Sequence, residues 1–573
     1  MSISQNFPAI RPSLLLDFAN TERLDPRITF TRTTTATYYD GVTNAKAEEN
    51  LLLRSQDYSA TWTVTNLTPV TGKTAPDGTS TATEFTAGAA NAVLTQGYTA
   101  IAGSYTFSVF LRRVTGTGDI QIAADNGTWT TKVITGTWAR YDVTQTVAAG
   151  SKTAGVRVVT SGDAIEVWGA QLEQRSAVTA YTPTTTQAIT NYIPVLKTAA
   201  SGVARFDHNP TTGESLGLLV EEQRTNLVTY SQEFDNAAWT LGADATLTSN
   251  TIVAPDGTLT GDKFGENTAN AARSLSQSTS SVAPTAVSTT TVYAKAGERS
   301  NLLIRAFDNS AAGNYVWANF NLLTGVVNAS ANVGNATGVS ASITPVGNGW
   351  YRCAVSGIPN NSGTTTRSTI YVTTSTGNST NYQGDGYSGI YIWGAQLEAG
   401  AFPTSYIPTV AATVTRNADV ASMTGTNFSS WYNQAEGTLY TESQLAIQST
   451  TTRTVAGISD GTSNNFIDIR YRTTGISGEV ITQNLATQVN LSASVSAITA
   501  NQSLKDAFAF DFNDAAASAN NQSASTDTSC VIPLVNKIDF GTLNATNYLN
   551  GTIKKIAYYP IRVTNAQLQA LTS

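Results

Sequence analysis

Histidine is almost absent from this chain, and charge is scarce. One His, two Cys and two Met in 573 residues leave little material for imidazole or thiol chemistry. A Ser-His-Asp triad would have to use His208, and no Gly-x-Ser-x-Gly elbow leads to it. His208 sits in "FDHNPTTGE", a phrase of turn formers, and is expected on a loop surface. No paired His and Cys spacing fits a zinc site. Cys353 and Cys530 are too few for a disulfide framework and read as buried thiols. No stretch approaches 18 uninterrupted apolar residues, so no spanning helix and no membrane insertion is expected. The start "MSISQNFPAIRPSLLLDF" has no basic region followed by a long apolar core, so synthesis in a cytoplasm and release by lysis are expected. Only 13% of residues are charged, against roughly 25% in an average soluble domain. The net charge of -7 and pI near 5.0 remove the usual electrostatic basis for binding phosphate backbones, so no nucleic-acid partner is expected.

Thr, Ser, Asn, Ala and Gly fill the gap. Thr and the aromatics favour strands, and Gly and Asn favour turns, which points to an all-β chain of short strands. The length has room for about three or four domains of ordinary size.

Ordered blocks recur along the chain. "NLLLRSQDYSATWT" from Asn50 is answered by "NLVTYSQEFDNAAWT" from Asn226, and "APDGTSTATEF" by "APDGTLTGDKF". "TGTWARYDVT" parallels "GNGWYRCAVS", and "IEVWGAQLEQRSAVTAYTPT" parallels "IYIWGAQLEAGAFPTSYIPT". Several blocks in one order mark an internal duplication. Each copy is the size of a two-sheet sandwich of about eight strands. The shared "WGAQLE" reads as a central strand, apolar on both sides. Strict alternation places Ile165 and Val167 on one face and Trp168, Ala170 and Leu172 on the other.

The phrases "LDPRITFTRTTTATYYDG", "RFDHNPTTGESLGLLVEEQRTNL", "SQEFDNAAW" and "WGAQLEAGAFPTSYIPT" resemble a recurrent family of bacteriophage virion proteins. In that family such phrases join an N-terminal segment to carbohydrate-binding-module-like jelly rolls, often followed by a laminin-G-like domain. The first two phrases usually follow each other closely, so their separation here reads as an inserted or duplicated module. The resemblance covers most of residues 11 to 460 and is specific to architecture, not to a ligand. It implies an all-β chain of tandem jelly-roll sandwiches plus a C-terminal concanavalin- or laminin-G-like sandwich. The expected organisation is an N-terminal anchoring segment (1–49), the first jelly roll (50–186) and a linker resuming the N-terminal unit (187–225). The second jelly roll (226–409) and the last sandwich (410–573) follow.

Candidate chemistry is thin. A glycosidase needs two carboxyls about 5 to 10 Å apart. Glu221 with Glu222, Asp511 with Asp506 or Asp514, and Asp385 with Glu398 are the available pairs, none above a background of surface acids. No enzyme is expected. No cofactor is expected either. A structural calcium ion stays open, because jelly rolls often hold one, although "GAQLE" stands where such modules carry an acidic pair. Sugar binding would use exposed aromatic rings beside Asn, Gln, Asp and Arg. Trp129, Trp317, Trp431 and Tyr432 lie in turn-rich sequence and are the candidates.

The leading expectation is a non-enzymatic tail fibre, spike or head appendage on the virion surface. It would contact other virion proteins and host-surface glycans, with avidity from several modules. By the resemblance it would form a homo-oligomer such as a trimer. One alternative is a capsid decoration or cement protein that binds no glycan and docks through "QNFPAIRPSLLLDF". The other is a glycan-degrading tailspike, although no short fixed β-helix period is present.

Overall fold

The computed structural model describes residues 11–360, 362–445, 451–473, 477–493 and 501–573. The strands gather into three sandwiches. The order along the chain is nested. The third sandwich begins with Leu14–Asp17, which pairs with Gly551–Tyr559, and Thr29–Thr31, which pairs with Val420–Thr424. The chain then leaves along Ala36–Asn50 and returns along Ile189–Ala199 in a two-stranded ribbon, whose register closes at Asn50 opposite Ile189. The first sandwich hangs on that ribbon. Phe206–His208 and Ser215–Val220 then rejoin the third sandwich beside Gly551–Tyr559, and the second sandwich follows before the chain returns at Val420.

Residues 11–49 therefore supply strands to the third sandwich and the ribbon, and residues 187–225 carry the chain back along the ribbon into the same sandwich. Leu14, Leu16, Phe18, Leu218 and Val220 are all core residues of the third sandwich. The first six residues of the expected docking arm, 5–10, lie outside the described residues. His208 is also corrected. It is 5% exposed, with Nδ1 3.1 Å from the Tyr39 and Phe206 carbonyls and Nε2 3.0 Å from Glu22. The turn formers belong to the hairpin beyond it, which returns into a strand and buries the ring. Cys353 and Cys530 are both buried free thiols in different sandwiches. Among the described residues no helix is long and apolar enough to cross a membrane.

The duplication is visible strand by strand. In the first sandwich one sheet runs, edge to edge, Ala139–Val147, Gly103–Thr115, Ala164–Glu173, Ala82–Ala87, Leu67–Lys73. In the second, Trp350–Ile358, Ser288–Ala296, Gly389–Ala399, Gly261–Glu266 and Ala245–Ile252 take the same places. The second copy adds a hairpin, Val326–Val333 and Thr337–Gly347, that extends both of its sheets by one strand.

The repeated hexapeptide occupies the middle strand in both copies. A β-bulge falls between Trp168 and Gln171, and its counterpart lies in Gly389–Ala399. Gly169 and Gly394 take φ of 64° and 61°. The extra residue resets the alternation. Ile165, Val167, Ala170 and Leu172 thus share the core face, and Trp168 turns outward to a separate cluster. This corrects the strict-alternation reading. In the second copy Ile390, Ile392, Ala395 and Leu397 face the core, and Trp393 faces the ribbon residues Tyr39, Ile193 and Leu196. The outward Trp168 ring lies 6.4 Å from Tyr387 of the second sandwich. The polar letters satisfy backbone. Glu173 and Glu398 accept from the backbone N–H and hydroxyl of Thr179 and Thr404. Gln171 and Gln396 accept from Thr182 N and Ile407 N. One inner face builds a module, and the outer face joins modules.

A Cβ on Gly394 would stand 3.0 Å from the Tyr293 ring and 3.3 Å from the Tyr406 ring. Left-handed backbone alone costs a non-glycine residue about 1–2 kcal/mol. Gly394→Ala is expected to lower the thermal midpoint of the whole chain, while Gly313→Ala, where the added atom meets open space, leaves it unchanged. Differential scanning calorimetry of the two variants checks this.

Where the three pieces of the third sandwich meet the second, five charged side chains are buried together. Arg32, Arg205 and Asp419 have fully buried side chains, with Arg416 at 1% and Glu221 at 7% exposed. Asp419 accepts from Arg32 at 2.8 Å, from Arg205 at 2.5 Å and from the Glu221 backbone N–H at 3.0 Å. Glu221 pairs with Arg205 at 2.8 Å and Arg416 at 2.6 Å. Burial alone would raise its pKa, but Arg416 and Arg205 hold it down at about 2.

Candidate glycan-facing surface

The second sheet of the first sandwich runs Thr130–Lys132, Ile120–Ala123, Gly150–Val158, Ala92–Ala100, Thr63–Thr65. Its inward positions are apolar, with Ile120, Ile122, Val156 and Leu94 in the core. The alternate positions therefore face out. Register places Thr131, Gln121, Arg157, Val93 and Thr65 in one row across all five strands.

Trp129 shares the parity of Thr131, two residues before it, and is half-buried beside that row. The Arg157 guanidinium lies over its indole, 4.8 Å from the ring centroid. Such a contact is worth about 0.5–2 kcal/mol, more as water is excluded. The Gln121 side-chain carbonyl accepts from Arg157 Nε at 2.7 Å and from Nη2, and the Gln121 amide donates to the Thr131 hydroxyl at 3.0 Å. Among the described residues Arg157 has no carboxylate partner. The adjacent row is Ala123, Gly155, Thr95 and Thr63, of which only Thr63 is exposed. A Cβ on Gly155 would fall 2.1 Å from the Leu94 carbonyl oxygen, so only glycine lets these strands pair there.

Further along Ala92–Ala100, a groove of about 310 Å³ is lined by Leu51, Leu53, Thr61 and residues 96 to 99. Gln96 braces it, accepting from Leu53 N at 2.6 Å and donating to the Leu53 carbonyl at 2.9 Å and the Thr61 hydroxyl at 3.1 Å. The outward side thus combines an aromatic ring, a guanidinium, the Gln121 amide and hydroxyls.

The other aromatic candidates are not presented in this way. Trp317 is 8% exposed and packs with Leu303 and Tyr371. Residues 374 to 380 fold over that face, where Asn378 accepts from Arg305 at 2.9 Å and Asn319 donates to the Ser375 and Gly377 carbonyls. The guanidinium of Arg305 fills the space above Tyr315 and Tyr371, at 5.0 and 4.9 Å. Trp431 is 4% exposed in the core of the third sandwich. Tyr432 is only half-buried, but its ring stacks on Phe428 at 4.7 Å and leans on Tyr558 at 5.4 Å. Both follow the short helix Thr426–Ser429, whose turn swings them inward. Turn-rich sequence marked the neighbourhood of these rings, not their direction. Arg157 and Gln121 were missed, although "GVRV" and "IQIA" each show a polar residue in the outward slot of an apolar strand.

The carboxylate pairs weighed from the sequence are separated or already engaged. Glu221 belongs to the buried network, and Glu222 pairs with Arg224. Asp385 pairs with Arg299, whereas Glu398 is held by Thr404. Asp511 stands directly opposite Asp514 across a hairpin, where Asp514 pairs with Arg562 at 2.9 Å, and Asp506 lies against Glu479. Among the described residues no three His, Cys, Asp or Glu side chains group to hold a metal ion.

No protein-family model matches the chain, and no curated protein does. Solved structures give distant likenesses. The carbohydrate-binding module CBM40 of the Ruminococcus gnavus IT-sialidase, bound to α2,3-sialyllactose, is 15% identical over 26% of this chain and 87% of its own, with a TM-score of 0.23. The NanB sialidase of Streptococcus pneumoniae is 14% identical, with a TM-score of 0.22. That match spans 26% of each chain, about a quarter of the sialidase. A Trypanosoma rangeli sialidase is 9% identical over 98% of this chain and 97% of its own, again at 0.22. At these values none bears on function. The all-β, multi-sandwich class stands on the strands themselves.

Proposed function

We propose that the chain is a non-enzymatic structural protein of a bacteriophage virion, a tail fibre, spike or head appendage, that adheres to glycans on the host surface. The observation that carries the adhesive part is the group of Trp129, Arg157 and Gln121 on the open side of the first sandwich. Sugar recognition needs a ring to pack against and planar donors and acceptors beside it. This group supplies both on a sheet held rigid by its neighbours. The virion part rests on the family resemblance of the linking phrases. The nested plan supports it mechanically. Two modules inserted into a third, and tied by buried charges, hold a fixed geometry without disulfides.

The purified full chain is expected to bind a subset of a glycan array, and labelled antibody is expected to decorate the exterior of intact virions in electron micrographs. An array with no positive member would sink the adhesive reading. Saturating occupancy on capsids in that case would favour the decoration role. Loss of viscosity from a host polysaccharide incubated with the protein would replace adhesion by degradation.

A further inference from the structure

From the same surface, and resting on that adhesive reading, we infer the class of sugar: residues that bear a carboxylate, such as uronic acids. The indole of Trp129 is not free to stack a neutral pyranose on both sides, because the Arg157 guanidinium already lies over it at 4.8 Å. The ring instead serves as a platform that fixes the guanidinium plane. Gln121 adds a second constraint by accepting from Nε and Nη2 with one oxygen, and its own amide is tied to Thr131. Nη1 makes no hydrogen bond to any described residue, and Arg157 pairs with no carboxylate among them. A guanidinium held by two neutral groups keeps its full charge and an unused donor edge, geometry that suits a carboxylate better than a hydroxyl.

The surroundings sharpen the choice. The outer row carries no acid: its members are Thr131, Gln121, Arg157, Val93 and Thr65. At one end of the row Asp125 is occupied by Lys152 at 2.8 Å, and at the other the exposed Asp119 precedes Gln121 by two residues. On a chain of net charge -7, a guanidinium with no carboxylate within 4 Å among the described residues leaves its charge for a ligand.

The test is calorimetric titration of the full chain with matched oligosaccharides that differ only at C6, tri-galacturonate against tri-galactose and tri-glucuronate against tri-glucose. At least one acid is expected to bind ten-fold or more tightly than its neutral partner, with an advantage that shrinks as salt is raised. Arg157→Gln is expected to abolish the difference, and Arg157→Lys to restore part of it. Equal or tighter binding of the neutral sugars, or an acid preference that survives Arg157→Gln, would overturn the inference but leave adhesion standing. Binding of no member here, together with an empty glycan array, would overturn both. Circular dichroism and thermal midpoints matching the parent chain confirm that the variants are folded.

Discussion

Asp419→Ala is expected to destabilise the chain by about 3–5 kcal/mol, the usual result of removing one partner from a buried ion network. Asp419 is 0% exposed and accepts from Arg32, Arg205 and the Glu221 backbone. Among the described residues, its loss leaves Arg32 with no acid within 4 Å and Arg205 dependent on Glu221 alone. Water cannot reach them without opening the joint. Arg32 donates in addition to the Thr34, Ala200 and Val203 carbonyls, so the guanidinium is held in place and cannot swing out to solvent. Denaturant unfolding should show the loss, and limited proteolysis should cut first near the ribbon and the 221–226 stretch. Arg32→Ala should cost a similar amount. The double variant should cost less than the sum, because the two residues share one interaction. A loss below about 1 kcal/mol for Asp419→Ala would mean that the joint is solvated in solution.

The second large effect concerns pH. Glu479 and Asp506 are each 0% exposed, on facing sheets of the third sandwich, bonded to each other with Ser477 beside both and no cation paired to either among the described residues. Thr441 lies directly across from Asp506 on the neighbouring strand. Burial raises both pKa values. The charge of Asp506 raises Glu479 further, whereas Asp506, eased by its bond to Glu479, is pushed up to about 7. Arg472 is the cation nearest the pair, and it is engaged by Asn490 and the Leu491 carbonyl.

The native state therefore keeps a proton that the unfolded chain releases near pH 4. The stability this proton supplies is fully present below pH 4 and is lost as pH rises through 7. Asp506→Asn cannot ionise. It is expected to be more stable than the parent at pH 8 and to show a smaller loss of stability between pH 4 and pH 8. Urea unfolding of both proteins across that range isolates the effect. A variant less stable than the parent at every pH would show that the pair holds a cation in place of a proton.

How much of this could be read from the sequence differs by feature. The duplication was legible because its blocks are local and ordered, and so was the all-β class. The hexapeptide announced a central strand, but not the bulge at Gly169 and Gly394. That device depends on a positive φ, and a Gly in a strand is equally consistent with close packing. The nested plan was half legible. The phrases around Arg32 and Arg205 suggested an interrupted unit, yet their meeting at Asp419 joins residues 387 and 214 positions apart. No period or spacing encodes such a pairing. His208 and Trp431 were misplaced for one reason: turn formers mark where the chain bends, not which way the next side chain points. The surface at Trp129 was located by its ring, while the guanidinium that dominates it was hidden because a lone Arg in a strand resembles any solvated position.

The most direct test of the account is binding of the full chain to its best glycan-array ligand, compared between the parent and Trp129→Ala at equal thermal midpoints. The account predicts at least a ten-fold loss for Trp129→Ala and no loss for Trp317→Phe, since Trp317 is covered by residues 374 to 380 and contributes packing only. Undiminished binding by Trp129→Ala would contradict it, because the first sandwich's open sheet would then not be the adhesive surface.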